Sequence, residues 1–264
     1  MALPDADPLA LIEAFLQVHA QRSAAPMQLY ARGEELYAQL APAPPAHPLW
    51  GRFLVALGSM AADDFDDAAA ASRYFLSCLQ GVDRHGDHEA AVTAGYDQGV
   101  LQERRRNPTH ARAAYRAAAS EGFRLRCITA NTVRAAVGAV RLYFAEYETL
   151  DELHHGLAKQ AWLAWLWLRI AQPEQLDREL TRELGRQLCA LLLPEDHPEE
   201  LAARWRAWAP NSLETPTGLW RDRLAACLTE LFAVAAESAN EHLGDEGPDP
   251  AAPYRLLWEA SKRG

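Results

Sequence analysis

Apolar residues in this chain recur at spacings of three and four, and Ala, Leu, Arg, Glu and Gln dominate between them. Alternating runs of β-branched residues are missing, so the pattern predicts helices and almost no strand. Breakers mark the joints. "APAPPAHP" at 41–48 closes an N-terminal helical pair, and "NPTH" at 107–110 opens a helix with Asn107 as cap and Pro108 in its first turn. "QPEQ" at 172–175, "LPEDHPEE" at 193–200, "APNSLETPTG" at 209–218 and "GDEGPDPAAP" at 244–253 each end one helix and begin another. The segments between breakers predict about a dozen helices, joined by the short connections of antiparallel neighbours.

An internal repeat refines this picture. Residues 51–81 lie on 92–122 without a gap, so that Gly58 meets Gly99, Ala70 meets Ala111, Tyr74 meets Tyr115 and Gly81 meets Gly122, always 41 residues on. The glycine lets two helices approach closely, Ala-x3-Tyr places both residues on one face, and the closing glycine stops the helix. These positions are expected to be packing positions.

The spacing resembles that of the tetratricopeptide repeat. Leu57-Gly58 answers its Leu-Gly pair, Ala70-x3-Tyr74 its Ala-x3-Phe, and Gly99 with Ala111-x3-Tyr115-x2-Ala118 repeats the set. Gly95 stands in place of the motif's tryptophan and Gln98 in place of its leucine. The closing proline is absent, and the period exceeds the usual figure of about 34. The match extends more loosely to 127–161 and to the pair around "LYARGEELYAQL". What the resemblance implies is an all-α array of antiparallel helix pairs, a TPR-like alpha-solenoid with a less regular helical C-terminal half. The expected organisation is a helical pair over 1–47, repeats over 48–171 and a helical region over 172–264. The resemblance further implies a non-catalytic scaffold, adaptor, chaperone or regulator that binds a partner protein.

The stretch "DDFDD" at 63–67 raises an enzymatic alternative, since Asp-Asp-x-x-Asp on a helix binds Mg²⁺ in all-helical prenyl-diphosphate and terpene-type enzymes. Such chemistry needs a second metal-binding cluster, and the C-terminal acidic stretches are rich in breakers. The repeat places Asp63, Asp64, Asp66 and Asp67 at the join between two helices, where carboxylates near a helix N-terminus are favoured. The turn is the preferred reading, with no metal and no cofactor. His85 and His88 have ligand-like spacing, but their connector contains a glycine and is expected to be solvated. His154 and His155 are adjacent and point to different sides of a helix. Trp162, Trp165 and Arg169 share one face of "AWLAWLWLRI", which reads as core.

Charge changes the picture last. The chain carries a formal charge of −10, with 49% hydrophobic residues and 23% charged, which disfavours general nucleic-acid binding. The N-terminal residues carry acids where a signal peptide would carry bases, and the apolar run 161–168 is too short for a bilayer. The widely spaced Cys78, Cys127, Cys189 and Cys227 read as buried thiols of a cytoplasmic protein. Against the overall sign, 101–141 holds nine arginines and two acids. Either these arginines pair with the protein's own carboxylates, or they bind a partner's. On the second reading Asn131, Arg134 and Arg141, together with Arg112 and Arg116, form a groove for a protein or acidic peptide, because guanidinium forks suit planar anions.

Overall fold

The computed structural model describes residues 7–21, 25–147, 150–181 and 183–184. All regular structure among them is helical: α1 (Pro8–Ala20), α2 (Pro26–Leu40), α3 (Pro48–Asp63), α4 (Ala68–Gln80), the single turn α5 (Val82–His85), α6 (His88–Arg104), α7 (Pro108–Arg124), α8 (Ala130–Tyr147) and α9 (Glu152–Ala171), followed by a 3₁₀ turn at Pro173–Gln175. None of these helices is long and apolar enough to cross a membrane. The expected breaks at 193–200, 209–218 and 244–253, with Cys189 and Cys227, lie outside the described residues. The chain divides into two compact units after Cys127.

The starts of the helices follow from sequence chemistry. Proline occupies the first turn of α1, α2, α3 and α7, where its missing N–H leaves no bond unmade. Aspartate side chains cap α1 and three further helices, α4, α6 and α9: Asp7 accepts from the Leu9 N–H, Asp67 from Ala69 and Ala70, Asp87 from Ala90, and Asp151 from His154. Several of the chain's acids thus sit where a helix dipole favours them.

In the first unit the helices of the pairs α1/α2, α3/α4 and α6/α7 pack on their partners, and the first two pairs also pack on the pair that follows: α1 and α2 both touch α3, while α3 and α4 both touch α6. Within a pair the helices run antiparallel. Gly95 lies against Ala118 and Gly99 against Tyr115, while the Cys78 thiol reaches the Gly51 carbonyl near the far end from the α3–α4 turn. The core between the first two pairs is Ile12, Phe15, Leu29, Leu36, Trp50, Phe53, Leu54, Leu57, Tyr74 and Phe75, with Phe15 set edge-on to Phe53 at 5.1 Å. In the second unit α8 and α9 form another antiparallel pair: the rings of Tyr143 and His154 stack at 3.8 Å, and Gln175 accepts from the Ala130 N–H at the other end. Trp162 and Trp165 are buried as expected, and the Trp165 indole donates to Thr181 at 3.2 Å.

Both glycines of the repeat lie under an aromatic ring. A Cβ added at Gly58 would stand closer than 3 Å to Phe75, and one at Gly99 closer than 3 Å to Tyr115. This corrects the ungapped alignment. The first helices correspond 41 residues apart, but the second helices correspond 40 apart. Left-handed φ values fall at Asp66 and Arg106, the caps are Asp67 and Asn107, and the rings are those of Phe75 and Tyr115. The reason is the turn, Asp64–Asp67 in one pair and the shorter Arg105–Asn107 in the next. Ala111 therefore corresponds to Ala71, both fully buried, while Ala70 and Tyr74 are buried beside that register.

Gly58→Ala and Gly99→Ala separate two opposed effects. Alanine improves helix propensity by about 1 kcal/mol, whereas overpacking a fixed ring costs roughly 1–3 kcal/mol. Both variants are expected to lower the urea midpoint, and a rise in both would show that the rings give way.

Candidate functional site

The acidic stretch is absorbed by structure. Asp63 closes α3 and pairs with Arg104 at 2.7 Å, Asp66 takes the left-handed turn position, and Asp67 caps α4 through two N–H groups. Among the described residues no group of three or more His, Cys, Asp or Glu side chains is placed to hold a metal ion.

The connector after α4 departs from its expected solvated state. His85 is only 2% exposed. Its Nδ1 accepts from the Asp87 N–H at 3.0 Å, which leaves the proton on Nε2 to be donated to the Cys78 carbonyl at 2.9 Å. The ring fits because residue 51 is glycine: a Cβ there would stand 2.9 Å from the imidazole. Asp87, 6% exposed, caps α6 and accepts from Arg52 Nε at 2.9 Å. The backbone thus folds the histidine inward, and the cluster ties the start of α6 to α3. Cys78 stands in the same cluster, and burial together with the Asp87 charge pushes its thiol up to about 12. Burial chiefly pushes Cys127 up to about 11; both thiols are free.

Beside this cluster α1, α3 and α6 enclose an open cleft of about 670 Å³, within the size range of ligand clefts, roughly 300–1,000 Å³. Glu13, Leu16 and His19 come from α1, Leu49, Arg52, Val55, Ala56 and Ser59 from α3, and Glu89, Ala90 and Thr93 from α6. Of these, Ala56 and Ala90 are buried, Ser59, Thr93, Leu16, Leu49 and Val55 are half-buried, and the charged Glu13, Arg52 and Glu89 are exposed. A second cleft of about 680 Å³ opens where Tyr37 and Trp50 meet Ala41, Pro44, Gly81, Asp83 and Arg84. Its walls draw on the 41–47 connector and the end of α4, whereas the first cleft is shared by three successive helix pairs.

The five residues expected to bind a partner fall in different units. Arg112 is half-buried and Arg116 exposed on α7. On α8, Arg134 donates to Asn131 at 2.9 Å and to Asp177 at 2.6 Å, and its side chain is 29% exposed; Arg141 is exposed. Burial opposes ionisation of Asp177, but the Leu180 N–H and Arg134 outweigh it and hold the carboxyl below its usual range. Arg104 is paired with Asp63 and Arg124 with Glu121. At least three of the nine arginines, Arg104, Arg124 and Arg134, therefore have carboxylate partners within the chain. Of the repeat residues, Tyr74 donates to Glu34 at 2.9 Å and Tyr115 to Glu103 at 2.9 Å, so each ring packs over its body and bonds at its tip. The Tyr74 hydroxyl is pushed above the usual range, by burial first and the Glu34 carboxylate next. Sequence reading missed the cleft, although Leu49, Arg52, Ala56 and Ser59 recur at spacings of three and four on α3 and share its lining.

No family profile matches the chain, and no curated protein matches it. Among solved structures, the crystal structure of BtubC (BKLC) from P. vanneervenii is similar in fold: the TM-score is 0.50 at 14% identity, over 91% of this chain and 86% of that one. At this identity the likeness concerns the all-helical fold alone.

Asp87→Ala removes a cap and leaves Arg52 without its acceptor. It is expected to cost roughly 1–3 kcal/mol. Arg52→Ala, at a guanidinium 60% exposed, is expected to cost about 1 kcal/mol or less. Urea unfolding of both variants measures the difference; equal losses would show that the capping bond contributes little.

Proposed function

We propose that the chain is a tetratricopeptide-like helical-repeat scaffold that binds a segment of another protein, as an adaptor, chaperone or regulator, without catalysis. Two successive pairs share a glycine-under-ring contact, Gly58 with Phe75 and Gly99 with Tyr115, which supports the repeat reading. The observation that carries the binding reading is the cleft shared by α1, α3 and α6. Short side chains at Ala56, Ser59, Ala90 and Thr93 leave room for an incoming helix or extended segment. Leu16, Leu49 and Val55 offer partly exposed apolar surface to cover. Free thiols at Cys78 and Cys127 support a cytoplasmic setting. The metal-dependent alternative gains no support, because Asp63 and Asp67 have structural partners.

The test fills the cleft. The full chain, Ser59→Trp and a control, Arg116→Trp on exposed α7, are used to capture partners from the source cell, with circular dichroism verifying that each folds. The wild type and the control are expected to retain one shared protein that Ser59→Trp loses by about tenfold or more, the scale of a blocked central contact. Retention of the same proteins by all three would contradict binding in this cleft.

A further inference from the structure

The charges around the cleft define its occupant. Arg52 is matched to Asp87 at 2.9 Å, so its charge is compensated within the wall. Glu13 on α1 and Glu89 on α6 are exposed, and neither has a hydrogen bond or ion pair among the described residues. Two carboxylates with no partner among the described residues thus line the cleft from α1 and α6, together with aliphatic Leu16, Leu49 and Val55. From this we infer that the occupant is a basic amphipathic segment of a partner protein, with lysine or arginine side chains at Glu13 and Glu89 and apolar side chains on the aliphatic strip. The sign is opposite to that of the acidic peptide expected from the arginine-rich stretch. It also disfavours nucleic acid and anionic membranes, whose phosphates would meet two carboxylates. This rests on the reading that the cleft binds a protein segment, and it adds the chemistry of that segment. Carboxylates beside apolar surface attract a cation more strongly than carboxylates in bulk water, and the attraction weakens with salt.

The experiment uses the full chain and three labelled helical probes: a short leucine–lysine peptide and its counterparts with glutamate or glutamine in place of lysine. Fluorescence anisotropy at low salt is expected to show the lysine probe binding at least about tenfold more tightly than the glutamine probe, and the glutamate probe most weakly. Glu13→Lys with Glu89→Lys is expected to abolish this order. Glu35→Lys with Asp64→Lys, an equal charge change at exposed positions away from the cleft, is expected to preserve it. Equal losses from the two double variants would assign the attraction to general negative charge and overturn the inference, as would absence of lysine-probe binding. Ser59→Trp separates the two readings. If it blocks lysine and glutamine probes that bind the wild type equally, cleft binding stands and the charge inference fails. If the lysine probe binds Ser59→Trp as well as wild type, binding in the cleft fails.

Discussion

Close approach of paired helices, permitted by a missing side chain, is the constraint on which the first unit depends. Gly58 lies under Phe75 and Gly99 under Tyr115, and in each case even a methyl group would enter the space of the ring. Glycine inside a helix costs about 1 kcal/mol relative to alanine. The rings recover that cost by burying large apolar surfaces against backbone. The same device seats Phe15 and Leu57 against Gly33. First helices also meet first helices, as α1 meets α3 and α3 meets α6. The cleft is a consequence of that adjacency.

Polar chemistry then holds the arrangement in register. His85 turns into the protein because Gly51 leaves space and because two backbone groups satisfy both ring nitrogens. A buried imidazole without those partners would be costly. Asp87, two residues on, serves α6 as a cap and Arg52 as an acceptor, so one carboxylate joins a helix start to the cleft wall. Elsewhere, carboxylates are spent on caps and ion pairs, among them Asp67, Asp63, Asp151 and Asp177. Much of the acidity between the helices is thus structural, while Glu13 and Glu89 have no hydrogen-bond or ion-pair partner among the described residues.

The helical class, the breaks at Pro48 and Pro108, the glycines at 58 and 99 and the acidic turn were legible because each is a local pattern. Helix period, capping and turn chemistry act over a few residues. The register of the second helices was not legible to that depth. Two turns that differ by one residue look alike when alanines are abundant, and only the Phe75 and Tyr115 contacts show the slip. His85 was misread because a glycine and several charges resemble a solvated connector, whereas its burial depends on Gly51, 34 positions earlier. The cleft was hidden for a similar reason: Glu13, Arg52 and Glu89 come together only through three helices. Arginine density was conspicuous, yet partners such as Asp63 for Arg104 and Asp177 for Arg134 lie far along the chain.

In the proposed binding mode a partner segment lies along α1, α3 and α6. Site-specific photocrosslinking in the source cell tests it most directly, with a benzophenone amino acid placed at Ser59 in the cleft or at Arg116 on α7. A discrete crosslinked partner is expected from position 59 and none from position 116. A partner captured from position 116 alone would contradict it and would move the binding face to the arginine-rich helices.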